Sequence, residues 1–232
     1  MRRALVFGGT GTIGREVISG LAEANIDSVF TYYKSKDLAF DLKKKYNQKA
    51  YKLDLSNIKE IRDFFNNLDF LPDIFIHCAG IANVLDLNSI TDDDWNKTIT
   101  INSHSALVAC QMIVPNMISK NCGDIVFIGA LDRTQSIAIP SHFAASQGML
   151  SAITMSLAKE LGIHNIRVNM ISLGLLDAGL SRNFNQKLKD DFIKFSSLKR
   201  EATSKEISNV IIWLATNNTY MTGKVLPVNG GI

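Results

Sequence analysis

A short apolar run, Ala4–Phe7, leads directly into the glycine-rich turn Gly8-Gly-Thr-Gly-Thr-Ile-Gly14, and a helical pattern over Thr12–Ala24 follows it. This strand, turn and helix constrain the fold more than any other feature, because the alternation they begin continues to the end of the chain. Strands are predicted at Ser28–Tyr33, Ala50–Leu53, Ile74–His77, Asp124–Ile128, Ile166–Ile171 and Lys224–Val228. Between them, helices are predicted over Asp37–Tyr46, from a cap near Ser56, from Thr91, over Pro140–Leu161, and from a cap at Ser204 to Ala215. Strands alternating with helices imply an α/β fold with a parallel sheet covered on both faces. Right-handed crossovers then make it a doubly wound parallel sheet, in a single domain over residues 1–232.

With 232 residues the chain can bury a sizeable core. A 46% hydrophobic, 20% charged composition is that of an ordinary globular protein, and the net charge of +3 comes without a dense basic cluster interleaved with aromatics. Nucleic acid is therefore not an expected partner. Lys43, Lys44 and Lys45 close a predicted helix, where positive charge complements the dipole. Cys78, Cys110 and Cys122 are odd in number and lack metal-ligand spacing, so no metal site is expected and they read as small buried residues. No apolar run is long enough to span a membrane, and a cytoplasmic location is expected.

The turn between the first strand and helix has a chemical use. Gly8, Gly11 and Gly14 let the backbone turn tightly and let a pyrophosphate approach the helix N-terminus, where free N–H groups and the dipole favour an anion. After the second strand, Thr31-Tyr-Tyr-Lys-Ser-Lys36 offers no carboxylate before Asp37. Lys34 and Ser35 suit a ribose 2′-phosphate, which points to NADP(H) over NAD.

Several motifs, in order along nearly the whole chain, resemble the short-chain dehydrogenase/reductase family and most of all its 3-oxoacyl-acyl-carrier-protein reductase branch. The likeness rests on the glycine loop, Asp54-Leu55, His77-Cys-Ala-Gly80, Thr100-Ile-Asn-Ser103, Ile166-Arg-Val-Asn169 before Leu173-Gly174, and the tail Tyr220-Met-Thr-Gly-Lys-Val-Leu-Pro-Val-Asn-Gly-Gly231. The resemblance implies a Rossmann fold. It also implies cofactor contacts at Gly8, Thr10, Gly11, Thr12, Ile13 and Gly14, at Asp54 and Leu55, and at Ala79, Gly80, Gln147 and Gly174. Departures include Phe7 where the family has Thr, Thr12 where it has Gly, and His77-Cys78 in place of Asn-Asn.

The family's active site needs a Ser, a Tyr and a Lys. Tyr-x-x-x-Lys aligns with Phe143-Ala-Ala-Ser-Gln147, and the Ser position, thirteen residues back, falls on Ala130. Only the family's asparagine is retained, as Asn102. Phe143 has no proton to give, Ala130 has no donor, and Gln147 can meet a ribose hydroxyl but brings no charge. Candidate substitutes for the proton donor are Asp132, His142, His104 and Cys78, of which Asp132 stands first by its position past Ala130.

The helices from Thr91 and over Pro140–Leu161 carry apolar residues on more than one stripe, including Leu107, Val108, Met112, Leu150, Ile153, Met155 and Leu157. Such helices want two burial partners, and a dimer or tetramer is expected. The leading reading is a reductase-like, NADP(H)-binding subunit without proton-transfer residues. Its partners would be copies of itself, a catalytically intact relative, or an acyl-carrier protein. Alternatives are an active NADPH-dependent 3-oxoacyl reductase with a rearranged site, and an NADP(H)-sensing regulator. The Lys- and Asn-rich stretch 175–200 follows a strand C-terminus and is expected to shape the substrate mouth.

Overall fold

In the computed structural model, which describes residues 2–130 and 139–232, seven parallel strands form one sheet in the order β3-β2-β1-β4-β5-β6-β7. The strands are β1 (Arg3–Phe7), β2 (Asp27–Tyr32), β3 (Lys49–Lys52), β4 (Ile74–His77), β5 (Gly123–Ala130), β6 (Ile166–Leu173) and β7 (Val225–Val228). The helices are α1 (Thr12–Glu23), α2 (Lys36–Tyr46), α3 (Ile58–Asn66), α4 (Asp92–Ile99), α5 (Ser105–Ser119), α6 (Ser141–Leu161), α7 (Gln186–Phe195) and α8 (Ser204–Thr216). This is the doubly wound Rossmann arrangement that the alternation predicts.

Both faces of the sheet are covered, so the central strands β1 and β4 bury consecutive apolar residues, Ala4–Phe7 and Ile74–Ile76, rather than alternating with polar ones. In β1, Leu5 and Phe7 join the core under α3, α5 and α6, while Ala4 and Val6 join the core under α1, α2 and α8. Strand order reverses at β1, which pairs with β2 on one side and β4 on the other. Crevices outside the strand C-termini at such a reversal are where these sheets take ligands.

Several element boundaries differ from expectation for local reasons. Asn57, not Ser56, caps α3, because Ser56 donates instead to the Asp54 carboxylate. Thr203, not Ser204, caps α8, since only Thr203 closes a capping box with Glu206. The long helix expected from Thr91 begins there, with Thr91 and Asp94 capping each other, but is interrupted by a π-turn over Thr100–His104. Stretch 175–200 is not devoid of structure: it holds a 3₁₀ turn, Gly179–Asn183, and α7. Among the described residues, no helix is long and apolar enough to cross a membrane, and no His/Cys/Asp/Glu group could hold a metal ion.

The end of the sheet away from the crevice is fastened by charge. Asp124, at the start of β5, is 1% exposed. It accepts from Arg167 Nε at 2.7 Å and a second Arg167 nitrogen at 2.8 Å, and also pairs with Arg2. A buried carboxylate held by two guanidiniums is costly to uncover from one side, because the remaining charges lose their partner. Asp124→Ala is expected to lower stability by about 3–5 kcal/mol. Urea unfolding monitored by circular dichroism reads this as a lower midpoint at unchanged slope, and a loss below about 1 kcal/mol would mean the cluster acts as an ordinary surface pair.

Candidate functional site: a cleft at the strand C-termini

The C-terminal ends of β1, β4, β5 and β6 open into a cleft of about 270 Å³. Its wall brings together residues that are far apart in sequence: Gly11, Thr12 and Ile13, then Ala79 and Gly80, then Asn102, Ala130, Phe143, Gln147 and Gly174. Ten of the expected site residues therefore meet in one place. The rest of the wall is largely apolar, including Ile128, Leu173, Leu175, Leu176, Leu180 and Phe184. The stretch expected to shape the mouth supplies the last four of these.

The glycine turn is built for close approach. Gly8 sits at φ +77°, and a Cβ there would lie 2.8 Å from the Ala79 Cα, so the turn after β1 packs directly on the turn after β4. A Cβ on Gly14 would lie 2.2 Å from the Gly8 carbonyl oxygen, which presses α1 against the turn. The α1 N-terminus carries no side-chain cap. Its free N–H groups thus remain available to an anion, and the cradle fits a pyrophosphate. Thr31, which sequence reading passed over, fixes the turn by accepting from the Gly9 N–H at 2.8 Å through its carbonyl.

Lys34, Ser35, Asp54 and Leu55 lie outside this cleft, beyond the ends of β2 and β3. Lys34 is exposed, with its Nζ 5.7 Å from the centre of the Tyr33 ring. Ser35 is the N-cap position of α2, but its hydroxyl makes no capping bond. Burial alone would raise the Asp54 pKa, yet hydrogen bonds from the Ser56 hydroxyl and N–H and from Tyr33 outweigh it and hold the carboxyl below its usual range. Leu55 is buried in the core beside α3.

Behind the cleft runs a polar chain centred on Ser146, which sequence reading did not single out. The Asn102 side-chain NH₂ donates to the Ile81 carbonyl and to Ser146 Oγ, each at 3.0 Å, while its Oδ1 accepts from the Ile81 N–H at 2.9 Å. Ser146 Oγ donates to the Phe143 carbonyl at 2.7 Å and also accepts from Gln147 Nε2 at 3.2 Å. Gln147 Oε1 accepts from the Ala130 N–H at 2.9 Å. Asn102 has spent both its N–H donors, and Gln147 keeps one. The available signal for this chain was polar residues in otherwise apolar helices, each of which must find a partner when buried. Phe143 is 3% exposed and turns its ring to the cleft wall.

The candidate substitutes separate clearly. Cys78 lines the cleft, and burial pushes its thiol pKa up, which keeps it protonated. His142 is fully buried and is not among the described residues lining the cleft, and neither ring nitrogen has a hydrogen-bond partner among the described residues. His104 is exposed on the π-turn. Asp132 lies outside the described residues.

One further buried group supports the site from below. The π-turn pairs the Ser105 N–H with the Thr100 carbonyl, five residues back. Ser105 Oγ donates to the Ile101 carbonyl at 2.7 Å, and His77 Nε2 meets Ser105 Oγ at 2.9 Å. The serine proton is committed, so His77 donates from Nε2 and is neutral. Burial lowers its pKa from 6.5 to about 4. Because the folded value lies below the unfolded one, the unfolded chain binds more protons between them. This contribution to stability is complete above about pH 6.5 and is lost as pH falls toward 4. His77→Gln is expected to remove that part of the pH dependence in thermal melts between pH 4 and 7, and an unchanged slope would mean that His77 titrates alike in the folded and unfolded chain.

The family model described as enoyl-(acyl carrier protein) reductase matches residues 9–232. Among curated proteins, the chain is 30% identical to the 3-oxoacyl-[acyl-carrier-protein] reductase FabG of Buchnera aphidicola, over 99% of this chain and 96% of that one. It is 26% identical to the acetoacetyl-CoA reductase of Allochromatium vinosum, over 100% and 98%. Among solved structures, a blue fluorescent protein from a metagenomic library in complex with NADPH superposes at a TM-score of 0.91, with 27% identity over 99% of this chain and 97% of that one. The matched family model, the relatives and the shared architecture agree, and the chain belongs to the short-chain dehydrogenase/reductase family.

Proposed function

We propose that this protein binds a nicotinamide dinucleotide, NADP(H) in preference to NAD(H), and serves 3-oxoacyl reduction as a subunit with little or no turnover of its own. The observation that carries this reading is the closed polar chain behind an apolar wall. Where a reductase of this family needs a proton donor at the reacting carbonyl, the cleft presents Phe143 and Ala130. The nearby polar side chains are engaged with one another: Asn102 holds Ile81 and Ser146, and Gln147 holds Ala130 and Ser146.

Dinucleotide binding is supported by the uncapped α1 N-terminus, the close-packed glycine turn and the NADPH held by the metagenomic relative. The bound dinucleotide would supply a hydride. Gly11, Thr12 and Ile13 would hold its pyrophosphate, and Ala79, Gly80 and Gly174 would let its backbone lie close to the sheet. The spare N–H of Gln147 would meet a ribose hydroxyl, and Lys34 with Ser35 would meet the 2′-phosphate. Asn102 would act through Ser146 by holding α6 in place. Among the described residues lining the cleft there is no Tyr, Lys, His, Asp or Glu to serve a carbonyl oxygen.

Missing groups have a calculable effect. A positioned general acid contributes roughly 10²–10⁴-fold, and a polarising donor on the order of 10²–10³-fold, with the losses not multiplying in full. Subunit assembly is supported by exposed apolar residues on the helices beside the site. Met149 and Met155 on α6 are exposed by 39% and 41%, and Ile118 on α5 by 36%, so a second subunit, identical or catalytically intact, would cover them. The similarity to a reductase named for its acyl-carrier substrate supports an acyl-carrier protein as a further partner.

The test is a turnover assay with purified protein, NADPH and a 3-oxoacyl thioester, followed by loss of NADPH absorbance. The expected rate is at least about 10³-fold below that of an intact family member. Robust NADPH oxidation by the chain alone would overturn the reading. The triple substitution Ala130→Ser, Phe143→Tyr and Gln147→Lys is expected to raise any residual rate, while tight binding of NADPH by the unmodified chain checks the cofactor half independently.

A further inference from the structure

The cleft has an electrostatic character that its size and shape do not convey. Among the described residues lining it there is no Asp, Glu, Lys, Arg or His. The ionisable group in that set is the Cys78 thiol, which burial keeps protonated. The polar side chains Asn102 and Gln147 are neutral, and the wall around them is formed by Ile128, Ala130, Phe143, Leu173 and Leu175.

Two helices also end on this space. Thr12 and Ile13 belong to the first turn of α1, and Phe143 to the first turn of α6. The N-terminus of each helix carries partial positive charge that favours anions and opposes cations. The first helix suits a pyrophosphate. The second leaves the far part of the cleft without any negative group, among the described residues, to hold a positive charge.

The direction of a bound dinucleotide follows from the sheet. With the pyrophosphate at α1, the adenosine end runs toward β2 and β3, where Lys34 and Asp54 lie. The nicotinamide end must then run the other way, past Ala79 and Gly80 toward Ala130, Phe143 and Gln147. The oxidised and reduced dinucleotides share every phosphate, both riboses and the adenine, so those contacts cancel in a comparison. What differs is the ring: the oxidised nicotinamide carries a positive charge, and the dihydronicotinamide is neutral.

Resting on the dinucleotide-binding reading above, we infer that this site discriminates the redox state of its ligand, taking the reduced dinucleotide in preference to the oxidised one. Moving a charge from water into a cleft whose described lining is apolar and holds no counter-charge is unfavourable, whereas a neutral, flat ring is well accommodated there. Occupancy then follows the reduced fraction of the pool, and a subunit that does not consume its ligand can report that fraction to whatever it binds. Only binding is involved, and no electron or proton is transferred.

The test titrates the full-length protein separately with NADPH and with NADP⁺ by isothermal calorimetry at pH 8. NADPH is expected to bind more tightly by about tenfold or more. Equal affinities, or tighter binding of NADP⁺, would overturn the selectivity and leave the dinucleotide reading standing. Binding of neither form would overturn the dinucleotide reading and the selectivity with it. Gln147→Glu supplies the complementary arm: it matches glutamine in shape, retains an oxygen for the Ala130 N–H, and adds a negative charge. Its ratio of NADP⁺ to NADPH affinity is expected to rise by about tenfold at pH 9, where the carboxyl is ionised. Ala130→Asp repeats the test from the opposite wall. Each ratio is measured on one preparation, so partial loss of folded protein does not affect it, and an unchanged ratio in both variants would overturn the inference.

Discussion

Ser146 holds the functional end of this molecule together. Its single hydroxyl joins the loop after β4, the π-turn between α4 and α5, and the first turns of α6, through Asn102, Phe143 and Gln147. The adjacent Ser103 hydroxyl adds a bond to the Ser146 carbonyl at 2.6 Å. These groups are buried, so each bond left unmade would cost on the order of 1–3 kcal/mol. The cleft wall is rigid for that reason, and the positions of Phe143 and Ala130 are fixed by it. The same network explains how an apolar wall coexists with Asn102 and Gln147: most of their polar atoms are taken up by Ile81, Ala130 and Ser146, and Gln147 keeps one N–H.

The residue types at positions 130, 143 and 147 also bear on stability. A lysine at position 147 could not accept from the Ala130 N–H as the Gln147 amide does. A buried ammonium without a partner would also carry a heavy desolvation cost. Gln147 therefore secures β5 to α6 without bringing a charge to the cleft. Its neutrality is a property of the local packing as well as of the residue type, and it underlies the redox selectivity inferred for the site.

Some features were legible because their causes are local. The glycine turn, the Thr91 cap and the strand–helix alternation each depend on neighbours within a few residues. Boundaries were less so. Ser56 and Asn57 are both good caps, and only the Asp54 carboxylate, which engages Ser56, decides between them. Helix α7 was hidden in a Lys- and Asn-rich stretch because a narrow stripe, Leu188 and Phe192, packs inward. The π-turn could not be seen at all. It adds one residue to one turn, and its following residue Ser105 is braced by His77, from a strand distant in sequence.

The sequence alone determined the doubly wound sheet, the anion cradle at α1, and the identities at 130, 143 and 147, because each is carried by residue type and short-range spacing. Tertiary structure alone decided where the hydrogen bonds of those residues go. Asn102 and Gln147 have the same donors and acceptors in any fold, and sequence spacing cannot say whether they face a ligand or each other. That choice was made by Ile81, Ala130 and Ser146, brought within about 3 Å of them by the packing of α6 across the strand ends. A buried amide must satisfy its polar atoms, and it does so with the partners that the fold places nearest.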